Sequence, residues 1–379
     1  MSQRQRLNRH QWEGVYTADF TLDGVRRRCR WLAEALVARK WSCLIAHDTR
    51  FMAPQFARYA YRSLEIQGVT VSFCPTPAPF PAVELSLEQK RADAALIISA
   101  GNRPFWYNGM IVLAPLADRP LLEGGPLVPE GADPPIPFPP TQLDNNDRTQ
   151  IDLRGPYLET LRAAVDVDLI RRATLTVFVD PMNGTTSGYI PAALGDGGQT
   201  KAIEINRETD PQFGRQPPQP TEAGLNRLRK LVKESDSHLG LALSADGRAL
   251  SVADNAGELV SPLDLALLLA NYLSRQYRQR GMIVAPHPGD SGEPAGLRAW
   301  EESAGLKVEL ATDPAARIAE LLSQDRNSLL VGTTATGEIT LGRYGAAPDA
   351  TLAGLLLIEL AARFGSKLRV LVDEVKPKP

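Results

Sequence analysis

A chain of 379 residues is too long for one ordinary hydrophobic core, and the usual domain size of ~100–200 residues predicts two to four compact units. With 43% hydrophobic and 23% charged residues it has the composition of a folded globular protein and not of a disordered one. A formal net charge of -2, with both signs mixed along the chain, gives no basic field, so neither nucleic acid nor an anionic membrane is an expected partner.

The opening MSQRQRLNRHQWEG is charged but has no apolar segment behind it. No uninterrupted apolar stretch reaches the ~18 residues of a spanning helix, so a cytoplasmic location is expected. From Thr21, Val25, Cys29, Leu32 and Leu36 fall at helical spacing, and WSCLIAHDTR then reads as a buried strand ending in a polar turn. A helix from Pro54 to Gln67, a short strand around Val69–Phe73, a Pro-punctuated turn, a helix from Ala82 and the strand Ala94–Ser99 follow. This alternation predicts an α/β sheet covered on both faces.

Residues 113–142 are rich in Pro and Gly and read as an extended surface connection, which places a first boundary near residue 150. Beyond it come a helix at Pro156–Ala164, a strand ending at Asp180, the turn PMNGTTSG and a further helix. The Pro-rich PQFGRQPPQP follows, and Thr221 is a candidate N-cap for the helix carrying Leu225, Leu228, Leu231 and Val232. Strands LGLAL and ALSVA flank the turn SADGR. The last stretch runs from the helix PLDLALLLANYLSRQY through the strand GMIVA, a helix near Ala315–Leu322 and the strand SLLVG to the helix TLAGLLLIELAARF. The expected organisation is three successive α/β/α domains, 1–150, 151–260 and 261–379, each a mixed sheet between helices. No internal repeat proves a duplication.

Cys29, Cys43 and Cys74 are odd in number and lie in apolar surroundings, so reduced structural thiols are expected. His10, His47, His238 and His287 form no zinc-ligand spacing.

The turns between these elements resemble, in order and wording, those of the phosphoglucomutase/phosphomannomutase (α-D-phosphohexomutase) family. WEGVYTADFT resembles the family's opening W-R-G-x-x-A-D-D-F-T, and HDTR its D-x-R turn. ADAALIISAGNRPFWYNGMIV stands where the phosphoserine loop T-A-S-H-N-P and its following Y-N-G belong. VDPMNGTTSGYIP and DPQFGRQPPQPTEAGL resemble second-domain segments. LGLALSADGRALSVAD stands in the place of the metal loop D-G-D-x-D-R, and VGTTATGEITLGR in that of the sugar loop G-E-E-S-G. None of the segments quoted resembles the R-x-S-G-T-E-P phosphate clamp of the family's fourth domain, so three domains without that fourth are expected.

The resemblance implies phosphoryl transfer between an enzyme serine and hexose hydroxyls, which needs an in-line nucleophile and cations to neutralise the moving charge. Position by position, those groups are replaced. The serine falls on Gly101, its neighbours on Asn102 and Arg103, and the acid/base lysine on Ile111, which cannot move a proton. Ser99, two residues before Gly101, is weighed as a replacement nucleophile against a plain strand-end hydroxyl.

The metal aspartates fall on Ser244, Asp246 and Arg248, which leaves one carboxylate and adds a cation, so no magnesium is expected to bind. Arg248 either pairs with Asp246 in the vacated volume or both side chains are solvated. Further family arginines fall on Glu13 and Ala249, a lysine on Ala316, and the sugar-holding glutamates on Thr334 and Ala335. Asp48, Thr49, Arg50, Tyr107, Asn108, Gly109 and Asp180 survive and read as turn and strand-end residues.

Three functional expectations follow. The first is a catalytically inactive family member of carbohydrate metabolism with a ligand-binding or regulatory role and no cofactor. The second is an active mutase of altered mechanism, with Thr334, Thr336 and Arg343 as contacts for a sugar phosphate. The third is a scaffold or regulatory subunit of an intact mutase, with Phe105 and Trp106 either filling the old substrate cleft or serving as anchors for a partner. A sugar phosphate or a protein is the expected partner, and a homo-oligomer is left open.

Overall fold

The computed structural model describes residues 8–115, 122, 136–138 and 149–378. Its chain divides into two compact units, one of residues 1–157 with 183–185 and 209–218, the other of 158–182, 186–208 and 219–379.

The first unit holds a five-stranded sheet. Its strands are β1 (Asn8–Val15), β2 (Cys43–His47), β3 (Val71–Phe73), β4 (Ala94–Ile98) and β5 (Tyr107–Ala114), in the order β1-β5-β4-β2-β3. β2 pairs parallel with β3 and β4, while β5 runs antiparallel to both β4 and β1. Among the described residues it is accompanied by α1 (Leu22–Arg39), α2 (Ala53–Glu65) and α3 (Phe80–Glu88). β2 and β4 are buried at every residue, as strands covered on two faces must be.

α1 begins where Thr21 accepts from the Gly24 N–H and ends at Lys40 in the left-handed region. Its Val25, Cys29, Leu32 and Leu36 stripe packs into the main core with Ile45, Phe56 and Leu64. The antiparallel flank of β1 and β5 does not follow from the sequence pattern. β1 is the polar segment NRHQWEGV, without a clean alternation, and takes its place because each of its residues pairs with one of β5. Leu113 and Ala114, expected to open the irregular connection, end β5 instead. Most of that connection lies outside the described residues.

The second unit holds two four-stranded sheets. One contains β6 (Thr176–Asp180), β7 (Lys201–Glu204), β8 (Leu239–Leu243) and β9 (Leu250–Asp254) in the order β7-β6-β8-β9. The other contains β10 (Met282–Pro286), β11 (Lys307–Ala311), β12 (Leu329–Thr333) and β13 (Ile339–Thr340) in the order β11-β10-β12-β13. In both, the first three strands of the chain are parallel and the last returns antiparallel.

Within the first unit the run β3-β2-β4-β5 obeys the same rule. All three sheets thus share one plan, with strand order 2-1-3-4, to which β1 adds an edge. The mixed sheets with helices that the sequence predicts are therefore present.

The remaining helices are α4 (Arg154–Ala164), α5 (Val167–Arg172), α6 (Tyr189–Leu194), α7 (Asn226–Glu234), α8 (Pro262–Tyr277), α9 (Leu297–Ala304), α10 (Pro314–Gln324), α11 (Ala350–Phe364) and α12 (Leu368–Val375). α8 is capped by Ser261 with Pro262 in its first turn, α10 by Asp313 and α11 by Asp349. Thr221 caps differently from expectation. Its hydroxyl accepts from Gly224 in a 3-10 turn over Ala223–Leu225, and the α-helix starts one turn later at Asn226.

Cys29, Cys43 and Cys74 are free and buried. Among the described residues no helix is long and apolar enough to cross a membrane.

Candidate functional site

A parallel sheet with order 2-1-3-4 reverses its winding between strands 1 and 3, and loops leaving the carboxyl ends of those two strands open a crevice. The same rule selects three loop pairs: 48–52 with 99–106, 181–188 with 244–249, and 287–291 with 334–338. The positions singled out from the sequence concentrate on the first two pairs and on the turn after β12.

In the first unit, Asp48 and Arg50 build the loop that follows β4. The Arg50 side chain is buried, with its Nε 3.1 Å from Asp48 Oδ2 and its backbone N–H donating to Asp48 Oδ1 at 2.9 Å. The rest of the guanidinium donates to four backbone carbonyls: Nη2 to Gly101 and Arg103, both at 2.7 Å, and Nη1 to Pro104 at 2.9 Å and Tyr107 at 3.1 Å. One planar fork thus fixes the whole turn. The Phe213 ring lies 5.0 Å beneath the guanidinium carbon.

Gly101 sits in this turn with φ +55°, a left-handed conformation that glycine adopts without strain. Its N–H donates to Ser99 Oγ at 3.0 Å. Ser99 is 1% exposed. Ser99 is therefore a buried strand-end hydroxyl that accepts from the turn it precedes, and not an accessible nucleophile. Burial raises the Asp48 carboxyl above its ordinary range against the opposing pull of Arg50 and Ser99.

Asn102 is half-buried, and Arg103 is exposed and ion-paired to Glu13. Ile111 is wholly buried in β5, between Gln11 of β1 and Ile97 of β4.

In the second unit the turn after β8 closes on itself. Gly247, at φ +82°, donates to the Ser244 carbonyl at 2.8 Å. Ser244 Oγ donates to Asp246 Oδ1 at 2.7 Å and accepts from the backbone of Arg248 and Ala249. Asp246 Oδ2 receives Arg248 Nε and Nη2, each at 2.9 Å, and Arg248 Nη1 reaches Glu338 Oε1 at 2.9 Å. The paired arrangement, and not the solvated one, is what the chain adopts. Burial would push the Asp246 carboxyl up, but the Arg248 charge and the hydrogen bonds from Ser244 and Arg248 outweigh it, so it lies below the ordinary range.

These donors do not fit magnesium. Both Asp246 oxygens are occupied by protein donors, Ser244 supplies a hydroxyl where a carboxylate would be needed, and a guanidinium is bound to the same carboxylate.

The turn after β12 lies directly against this loop. Ala249 and Glu338 form an antiparallel bridge, and Leu250 N–H donates to Gly337 at 2.9 Å. Thr334 is buried, and its hydroxyl meets that of Thr336 at 2.9 Å and accepts from the Glu338 N–H. Thr336 and Arg343 are exposed, as is Ala316 near the start of α10. Thr334, Thr336 and the 244–248 loop are thus brought together, while Arg343 follows β13.

Asp180 ends β6. It accepts from Met182 N–H at 2.9 Å and from Asn206 Nδ2 at 2.8 Å, with burial raising its carboxyl.

Two acidic partners do not stand out in the sequence. Glu13 falls at the place of a family arginine, and Glu338 belongs to no motif position considered above. Glu13 pairs with Arg103 and Glu338 with Arg248; for Glu13 the signal the sequence offers is an acid at the place of a family arginine, and for Glu338 it offers none. Phe51 and Trp106 are 55% and 50% exposed beside the 101–107 turn, with Tyr16 edge-on to Phe51 and Phe105 edge-on to Trp106.

Two family models match the sequence: "Phosphoglucomutase/phosphomannomutase, alpha/beta/alpha domain I" over residues 4–117 and the corresponding "domain II" over residues 155–257. A phosphoglucosamine mutase of Serratia proteamaculans (strain 568) is 25% identical over 358 residues, 92% of this chain and 76% of that protein. One from Chromohalobacter salexigens is 26% identical, covering 97% of this chain and 79% of its own length. Among solved structures, a candidate phosphomannomutase of Thermus thermophilus superposes with a TM-score of 0.81 at 22% identity. It covers 99% of this chain and 84% of its own, a likeness of fold.

Proposed function

The chain belongs to the phosphoglucomutase/phosphomannomutase family, and from that premise we propose that it is a catalytically silent member, which keeps the family scaffold to bind a sugar phosphate or to regulate a partner. The observation that carries this reading is Gly101. The turn where the travelling phosphoryl group would be held presents no side-chain oxygen there, and the nearest hydroxyl in sequence, Ser99, is buried and engaged.

The rest of the transfer apparatus points the same way. A proton carrier cannot be made from Ile111 inside a sheet. Deleting even one preorganised electrostatic partner commonly costs ~3–4 kcal/mol of transition-state stabilisation, and several are replaced here. The contacts left for a sugar phosphate are Thr336 and Arg343, both exposed. A cytoplasmic setting accords with three free, buried cysteines.

The competing reading, an active mutase of altered mechanism, draws its support from the relatives named as phosphoglucosamine mutases. A coupled assay interconverting the 1- and 6-phosphates of glucose, mannose and glucosamine, with magnesium present, separates the two. No turnover above the blank is expected; turnover at the level of a mutase relative run in parallel would end the proposal. A regulatory role has one specific feature in its favour, the exposed Phe51 and Trp106 beside the altered turn. In a thermal-shift screen, a rise with a hexose phosphate supports the binding role over the regulatory one.

A further inference from the structure

We infer that the Arg248 guanidinium is the resident cation of the loop after β8: a fixed charge that does structurally what a bound divalent ion would do, and that joins this loop to the turn after β12. The inference concerns a different loop from Gly101 and holds whether or not the chain turns over substrate.

The geometry is that of an internal counter-ion. Asp246 and Arg248 are 5% and 7% exposed, so neither charge is dispersed by water. The guanidinium contacts two carboxylates from different loops, with Nε and Nη2 on Asp246 and Nη1 on Glu338. It is planar, stays protonated at any pH the fold survives, and cannot be removed by a chelator.

Around it the two loops are stitched by backbone. Leu250 donates to Gly337 at 2.9 Å, Ile339 to Arg248 at 3.4 Å and Ala350 to Gly247 at 3.0 Å. Taking the guanidinium away leaves Asp246, Glu338 and the Ser244 hydroxyl facing a vacated space with only hard oxygen donors. That is the chemistry a small divalent cation selects.

The test uses the full chain. Thermal unfolding and titration calorimetry are run with EDTA, with millimolar Mg2+ and with Mn2+, on the unsubstituted protein, Arg248→Ala, Arg248→Lys and Arg248→Ala/Asp246→Ala. The unsubstituted protein should unfold at one temperature in all three conditions and give no binding heat. Arg248→Ala should unfold roughly 5–15 °C lower, because a buried carboxylate loses its partner. Mg2+ or Mn2+ should restore part of that loss, and none of it in the double variant. Arg248→Lys should fall between, since one ammonium cannot bridge both carboxylates as the fork does.

Stoichiometric Mg2+ binding by the unsubstituted protein would overturn the inference, and that measurement stands even if Arg248→Ala does not fold. An Arg248→Ala protein as stable as the original, or one that neither ion recovers, would overturn it as well.

Discussion

Arg50 and Arg248 use the same device. In each, an aspartate two residues earlier accepts the arginine's backbone N–H on one oxygen and its Nε on the other. The two differ in what else the fork holds, four carbonyls for Arg50 and Glu338 for Arg248. Replacing Arg50 by Ala should cost about 3–5 kcal/mol in urea unfolding, the loss expected for a broken buried pair. Arg50→Lys should recover only a minor part, since a single ammonium cannot reach all those carbonyls. A lysine variant as stable as the original would refute the role of the fork.

His47 adds a pH dependence. It is 1% exposed, and burial, the largest influence, holds its pKa below 6.5 in spite of the nearby Asp48. The unfolded chain therefore takes up the proton more readily, so this stability is complete above about pH 6.5 and is lost as the pH falls below it. His238 is shifted in the same direction, so the comparison must be with a His47→Gln variant, which should show a shallower loss between pH 7 and 5. Equal slopes would refute the assignment.

At the scale of elements, legibility follows burial. α1, α8 and α11 and the strands β2, β4, β6, β8 and β12 bury apolar runs or stripes, and their sequence patterns show it. β7 (KAIE) and β11 (KVELA) are half-exposed edge strands with no apolar run, and they form because a neighbour supplies the ladder. α11 is apolar almost all round, with twelve of its 15 residues buried, and one of these is Glu359.

The Glu359 carboxylate receives the Tyr277 hydroxyl at 2.7 and 2.9 Å and Arg363 at 3.3 Å. Tyr277→Phe should cost about 1.5–3 kcal/mol, the worth of a hydrogen bond to a charged group, with no change of fold by circular dichroism. Gly240 of β8 lies against α7: a Cβ there would lie 2.6 Å from a Val232 methyl. Gly240→Ala should destabilise by about 1–3 kcal/mol in urea unfolding, through displacement of Val232 and Leu228. An unchanged midpoint would mean that the helix shifts freely.

At the scale of the whole molecule, the absence of a hydroxyl at residue 101 has a direct readout: the intact mass of the freshly purified chain should carry no phosphate, and a stoichiometric adduct would reverse the proposal of catalytic silence. The sequence by itself determined the alternating α/β class, the apolar stripes and runs of the buried helices and strands and the identities at the altered positions, because side-chain periodicity and residue type are local properties. It did not determine that all three sheets share the order 2-1-3-4, that β1 flanks the first of them, or that the loop after β8 and the turn after β12 form one network. Strand order, edge pairing and the Arg248–Glu338 bridge depend on backbone and charge partners far apart in the chain, and only folding brings those partners within reach of one another.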